Sequence, residues 1–261
     1  MEDFQESTFE YNGLEKTVYK LGGDDKPAVL LLLEIPGMTR HTLEFARRLH
    51  RDGFTVYLPL LFGKANSPYE PGKNLARLCI QKEFNLLAYR KQSFISEWLR
   101  ALCREIQKSS QRKIGAIGMC FTGSFVVSLM IDDSVAAPVM SQPGYLGGFI
   151  WNKKGRSGLG IPDEDIEKAV ARSTAEDIKL LGFRFTNDIV CPKQRFDEVA
   201  KRFGDNFIRF EIDNSLFNKH NISPAAHAVH TIDYRDKPGH PTRKAYDTLI
   251  EFLNEQLGVV A

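Results

Sequence analysis

The chain is expected to fold as a doubly wound α/β protein built on a mainly parallel sheet. Three observations predict this. The run Ala28-Val-Leu-Leu-Leu-Leu33 is continuously apolar, as a strand buried on both faces must be. A helical segment, Thr42 to Asp52, and a second strand, Phe54 to Leu58, follow on short links and indicate a right-handed βαβ unit. Strand and helix patterns then keep alternating to the C-terminus. The length of 261 residues, 43% hydrophobic and 26% charged, suits one large core, so residues 1–261 are read as a single domain.

Before the first buried strand, residues 1–27 hold a hairpin region. Thr8 to Lys20 read as two short strands around Asn12-Gly13, a strong turn dipeptide. In the helix at Thr42 to Asp52, Leu43, Phe45, Ala46 and Leu49 share the inner face, and Gly53 closes it. Pro59 to Lys73 is rich in Pro, Gly, Asn and Ser and reads as a loop over the C-terminal edge of the sheet. Leu75 to Tyr89 and Ser93 to Lys108 predict long amphipathic helices. Lys113 to Ile117 is a strand, Phe121 to Ile131 a helix, and Val135 to Met140 a strand with Ser141 at its exit. The glycine-rich segment 145–162 reads as an irregular surface excursion. Asp163 to Arg172 is a short helix, and Leu181 to Phe185 a strand. Pro192 starts a helix to Arg202, at the first-turn site where proline is tolerated. The strand Phe207 to Ile212, a histidine-bearing loop and the helix Thr242 to Leu257 complete the chain.

Composition excludes several classes of function. A net charge of +2 without a run of Lys or Arg gives no sign of a nucleic acid partner. The longest apolar run is far too short to span a bilayer, so no membrane association is expected. The polar, acidic start Met1-Glu-Asp-Phe-Gln-Glu-Ser7 does not read as a signal peptide. Cys79, Cys103, Cys120 and Cys191 are scattered, with no CxxC and no histidines at metal spacing. They read as reduced thiols in a cytoplasmic protein, with no metal and no cofactor.

The chemistry concentrates at Ile114-Gly-Ala-Ile-Gly-Met-Cys-Phe-Thr-Gly123. Strand, sharp turn, nucleophile-type residue and helix is the layout of a nucleophile elbow. The second glycine comes one place later than in G-x-S-x-G, after Thr122. A thiol at a helix start meets unpaired N–H groups and the positive end of the helix dipole, which favour thiolate. The amide of Phe121 would face a developing oxyanion. A free cysteine is equally often a small buried hydrophobe, and the local pattern alone leaves both readings open.

Parallel sheets gather functional groups at the C-terminal ends of their strands. Those ends carry Glu34, Pro59, Cys120, Ser141 and Asp188, and the loop after the last strand carries His227 and His230. The order Cys120, Asp188, His227 is that of nucleophile, acid and histidine in α/β-hydrolases. In those roles Cys120 attacks a carbonyl, His227 moves the proton and Asp188 orients the imidazole. Plainer roles stand beside these. Asp188 also suits a turn or cap before the helix at Pro192, and His230 competes with His227. His220 and His240 read as solvent-facing, Cys191 as a packing residue, and Glu34 as the point where a strand meets water or as a gate on the thiol.

Taken together these residues resemble the dienelactone hydrolase family, a branch of the α/β-hydrolases. The resemblance rests on Leu33-Glu-Ile-Pro-Gly37, Gly53-Phe-Thr-Val-Tyr-Leu-Pro59 and Gly115-Ala-Ile-Gly-Met-Cys-Phe-Thr-Gly123. It continues through Asn187-Asp188, Ala226-His-Ala-Val-His-Thr231 and His240-Pro-Thr-Arg243. It implies an α/β-hydrolase fold, a Cys120–His227–Asp188 triad and an oxyanion hole from the amides of Ile35 and Phe121. It also implies that Glu34 pairs with the resting cysteine, and it favours His227 over His230. Thr122 departs from the glycine common in the family, which either narrows the pocket or tightens the turn. Arg40, Arg90 and Arg235 are candidates for a substrate carboxylate by position only.

The expectation is therefore a hydrolase of small esters or lactones that passes through a thioester. The alternative is a non-catalytic or redox-responsive relative that only binds a small molecule in the same pocket. A dinucleotide-binding enzyme is disfavoured because the elbow lacks G-x-G-x-x-G spacing.

Overall fold

A computed structural model describes residues 1–35, 37–66, 68, 94–144 and 153–259, with the side chains of 153 and 154 left aside. The expected helix at Leu75 to Tyr89, Cys79, Arg90 and the first part of the 145–162 excursion lie outside the described residues.

The strands are β1 (Gln5–Tyr11), β2 (Leu14–Leu21), β3 (Ala28–Leu31), β4 (Thr55–Pro59), β5 (Ile114–Met119), β6 (Val135–Ser141), β7 (Leu180–Phe185) and β8 (Phe207–Ile212). They form one sheet in the order β1-β2-β4-β3-β5-β6-β7-β8. The hairpin β1–β2 and the β2–β4 pair are antiparallel, and every pair from β4 to β8 is parallel. The expected α/β architecture is therefore present, with the hairpin on one edge. Helices α1 (Arg40–Arg51), α2 (Phe94–Ser110), α3 (Phe125–Leu129), α4 (Lys153–Ser157), α5 (Asp163–Glu176), α6 (Lys193–Phe203) and α7 (Pro241–Gln256) are described alongside it.

The apolar run at Ala28 to Leu33 does what its composition dictates. Leu30, Leu31, Leu32 and Leu33 are all without solvent exposure. Strand pairing stops at Leu31, but Leu32 still donates to the carbonyl of Ile117 at 2.8 Å, so the chain stays in line to Glu34. Between β3 and β5 the winding of the sheet reverses, and ligands of doubly wound sheets settle at such a crevice. Glu34 and Cys120 leave the sheet on its two sides.

The elbow differs from expectation in one respect. One helix over Phe121 to Ile131 is not formed. Cys120–Thr122 make a 3₁₀ turn, and the α-helix is only Phe125–Leu129. The strand has to reverse within three residues, and a tight turn of that kind closes i to i+3 rather than i to i+4. Cys120 carries the reversal with φ of +50°, a left-handed conformation that costs a non-glycine residue about 1–2 kcal/mol. Space for the turn comes from two glycines. A Cβ on Gly118 would lie 2.3 Å from the Thr122 carbonyl oxygen, and one on Gly123 would lie 2.7 Å from Pro143 Cα.

Thr122 resolves the departure noted above in favour of tightening. It is fully buried, its hydroxyl donates to Met119 O at 3.0 Å, and it accepts from Met119 N at 3.1 Å. Pro192 sits one place earlier than expected, as the cap of α6, and Pro241 opens α7. Gly118→Ala should lower unfolding stability by about 3 kcal/mol, the upper range for overpacking a core, because the obstacle is backbone. Urea titration checks this, and a wild-type midpoint would show that the turn opens freely.

Candidate active site

Three of the sequence-predicted catalytic groups, Glu34, Cys120 and Asp188, stand at strand exits, and His227 lies in the loop after β8. Cys120 follows β5 directly and is partly exposed. Asp188 lies three residues past β7 and is buried. Its Oδ1 accepts from Val190 N at 2.8 Å and Cys191 N at 3.1 Å, closing the turn that leads into α6. Its Oδ2 meets His227 Nδ1 at 2.6 Å. The turn-capping role and the histidine-orienting role are thus both filled, one by each oxygen.

The second ring nitrogen of His227, Nε2, is buried and has no hydrogen bond of regular geometry among the described residues, and Cys120 is the group that acts on it. Burial is the largest influence on this imidazole and opposes its charge. The negative charge of Cys120, the Asp188 hydrogen bond and the Cys120 interaction together outweigh it, and hold the His227 pKa well above its ordinary value.

The main chain of the histidine loop is pinned by Asp233, which sequence reading missed. Its Oδ2 accepts from His227 N and Ala228 N, both at 2.9 Å. An aspartate closing a turn on nearby amides is common in loops, and only the fold tells which amides it reaches.

Glu34 is buried, and its carboxylate is held by two donors. Thr231 Oγ1 donates to one oxygen and Gln142 Nε2 to the other, the latter at 3.3 Å. Among the described residues no hydrogen bond joins Glu34 to Cys120. Burial raises the Glu34 pKa, against the Thr231 hydrogen bond and the charge of His227, which lower it. Ile35 and Phe121, whose amides are the expected oxyanion donors, are both half-buried at the mouth of this region.

His230 is not brought to the acid. Its ring stacks on Phe45 at 5.3 Å between centroids and meets Phe183 edge-on at 4.7 Å. Among the described residues neither nitrogen has a hydrogen-bond partner, and burial, with the nearby Arg48 cation, pushes its pKa down to about 3. The expectation of a solvent-facing His240 is corrected. It is buried as the cap of α7, where Nδ1 accepts from Thr242 N at 3.3 Å, while His220 is exposed as expected.

Cys103 and Cys191 are buried thiols whose pKa burial raises, so neither resembles a reactive cysteine. Arg40 and Arg235 are exposed, and Arg235 is occupied by the carbonyls of Ile232 and Tyr234. Among the described residues no group of three or more His, Cys, Asp or Glu could hold a metal ion, and no helix is long and apolar enough to cross a membrane.

The family model for the dienelactone hydrolase family matches residues 16–215. The chain belongs to the dienelactone hydrolase family. Solved structures agree on the fold. A structure named m3DLH superimposes with a TM-score of 0.62 at 18% identity, covering 97% of this chain and 98% of its own. A dienelactone hydrolase-like promiscuous phosphotriesterase from metagenomic libraries gives 0.63 at 15%, covering 98% of both. Est1E from Butyrivibrio proteoclasticus gives 0.61 at 13%, covering 97% and 99%. No curated protein sequence matches the chain. Membership in the dienelactone hydrolase family makes this a hydrolase of that type, on an α/β-hydrolase fold.

The neutral burial of His230 has a consequence for acid stability. Its folded pKa lies below the unfolded value, so its contribution is full above pH ~6.5 and is lost as pH falls toward about 3, at up to ~1.4 kcal/mol per pH unit. The drop in unfolding free energy between pH 7 and pH 5 should therefore be smaller in His230→Leu than in wild type. Equal drops, measured by urea titration, would show that the ring takes up its proton in the folded state.

Proposed function

We propose that this member of the dienelactone hydrolase family cleaves small ester or lactone bonds through a Cys120–His227–Asp188 triad and a thioester intermediate. The observation that carries the reading is the 2.6 Å contact of His227 Nδ1 with Asp188, on a ring whose other nitrogen is left to the charge of Cys120.

In this mechanism the Cys120 thiolate attacks the carbonyl carbon, and the carbonyl π electrons move onto oxygen. The amides of Phe121 and Ile35 are assigned to that oxyanion. Collapse re-forms the carbonyl and breaks the bond to the alkoxy oxygen, which leaves with the proton from His227 Nε2. The acyl group is then a thioester on Sγ and His227 is neutral. His227 next takes a proton from water as the water oxygen attacks the thioester. A second collapse expels the thiolate, releases the carboxylic acid and restores the thiolate–imidazolium pair. Asp188 stays ionised throughout and holds the ring in position. Glu34 acts as a gate on the thiol only by leaving Thr231 and Gln142.

Turnover of p-nitrophenyl acetate, without added metal, tests the proposal. Cys120→Ala should lower kcat at least ~10³-fold, and Asp188→Asn, which keeps an acceptor for the turn at Val190, should lower kcat by about 10²–10⁴-fold. Equal rates in wild type and Cys120→Ala would overturn it.

A further inference from the structure

Gln142 occupies an unusual place. It is the first residue after β6, is without solvent exposure and has a φ of +35°, a conformation a non-glycine residue keeps only where its surroundings hold it. Its main-chain N–H donates to the Phe183 carbonyl at 2.7 Å, extending the β6–β7 ladder by one bond. Its side chain reaches in two further directions. Nε2 donates to Glu34 Oε2 at 3.3 Å, on the far side of β5. Oε1 accepts from the Ser141 hydroxyl and from Val229 N at 3.4 Å, two residues beyond His227.

One amide thus ties the exit of β3 to the exit of β6 and to the loop that carries His227. Thr231, on the same loop, also reaches Glu34, so the loop is fastened to this carboxyl both directly and through Gln142.

We infer that Gln142 is a positioning residue, whose buried amide locks the His227 loop to Glu34 and so keeps Nε2 of His227 aimed at Cys120. The inference rests on the triad reading above. The chemistry demands an amide. The group must donate to a carboxylate and accept from a backbone N–H at once, and among uncharged side chains of this length only an amide has a strong donor and a strong acceptor. A carboxylate in its place would face Glu34 with like charge, and an apolar chain would leave Glu34 and Val229 N each short of a buried partner.

The role separates from mere space-filling in two variants. Gln142→Met preserves length and volume without either hydrogen bond. Its kcat for p-nitrophenyl acetate should fall ~10–100-fold, the cost of a displacement of 1 Å or less, with KM changed less than about threefold. The His227 ring titration, followed by NMR, should move to lower pH as the ring loses its fixed relation to Cys120. Gln142→Glu should be impaired at neutral pH and regain activity relative to wild type as pH falls, by up to about tenfold per pH unit, because one proton shared between the two carboxyls restores the donor.

Wild-type kcat and an unmoved His227 titration in Gln142→Met overturn the inference, as does a pH-independent activity ratio in Gln142→Glu. If Gln142→Met fails to fold, the Gln142→Glu ratio decides. A wild type that turns over no ester would count against the hydrolase reading. The His227 titration in wild type and Gln142→Met would still decide the role of Gln142, a downward shift in Gln142→Met supporting it and an unmoved titration overturning it.

Discussion

The geometry of the site depends on one backbone constraint, the left-handed turn at Cys120. A buried parallel strand has to end, reverse and start a helix without a loop between them. That forces φ of +50° onto a residue with a side chain and brings the next turn against the strand. Gly118 and Gly123 give the necessary room, and the Thr122 hydroxyl closes the turn by bonding both polar groups of Met119. The Cys120 carbonyl is then taken by the amides of Gly123 at 2.9 Å and Gly144 at 2.7 Å, which fastens the turn to the segment after β6. The thiol is raised above the sheet as a by-product of satisfying the backbone. Strain of about 1–3 kcal/mol at such a position persists because these contacts fix it from both sides.

Around that turn the titratable groups are linked through His227 rather than standing as isolated pairs. Asp188 meets one nitrogen of His227, Cys120 acts on the same imidazole, and Glu34 is bonded to Thr231 of the histidine loop. Each carboxyl has donors that do not depend on the imidazole. Asp188 has two backbone amides, and Glu34 has Thr231 and Gln142. In the proposed mechanism, acids held in this way do not have to reorganise when His227 gains or loses its proton, as a preorganised environment requires. The cost is that Glu34 stays a carboxyl in a dry place, with burial working against its ionisation.

The sheet was legible in the sequence because parallel strands buried on both faces announce themselves as continuous apolar runs, and the helices between them as periodic ones. The strand ends mark Cys120 and Asp188, and the loop after the last strand marks His227. What escaped has a common physical character. The helix after the elbow is short because a backbone reversal overrides an apolar pattern that would suit a longer one. His240 is buried because a cap needs an acceptor at the start of α7, which local polarity does not reveal. Gln142 and Asp233 act through partners 108 and 6 residues away, and neither partner is marked by composition. Side chains that hold others in place carry no signature of their own until the chain is folded.

The two histidines of Ala226-His-Ala-Val-His-Thr231 show why environment, more than residue type, assigns chemistry. They are three positions apart on one loop, yet the loop turns them to opposite sides. His227 finds a carboxylate at one nitrogen and a thiol toward the other, and its charged form is favoured. His230 enters an aromatic slot between Phe45 and Phe183, next to a guanidinium that stacks on Tyr234 at 3.9 Å and bonds the His230 carbonyl. A second positive charge there would be buried and would meet Arg48, so the ring stays neutral and serves as a packing element. That neutral ring in turn fixes the loop from its far side. In the proposed mechanism proton transfer falls to His227, while the surroundings of His230 make it a packing element.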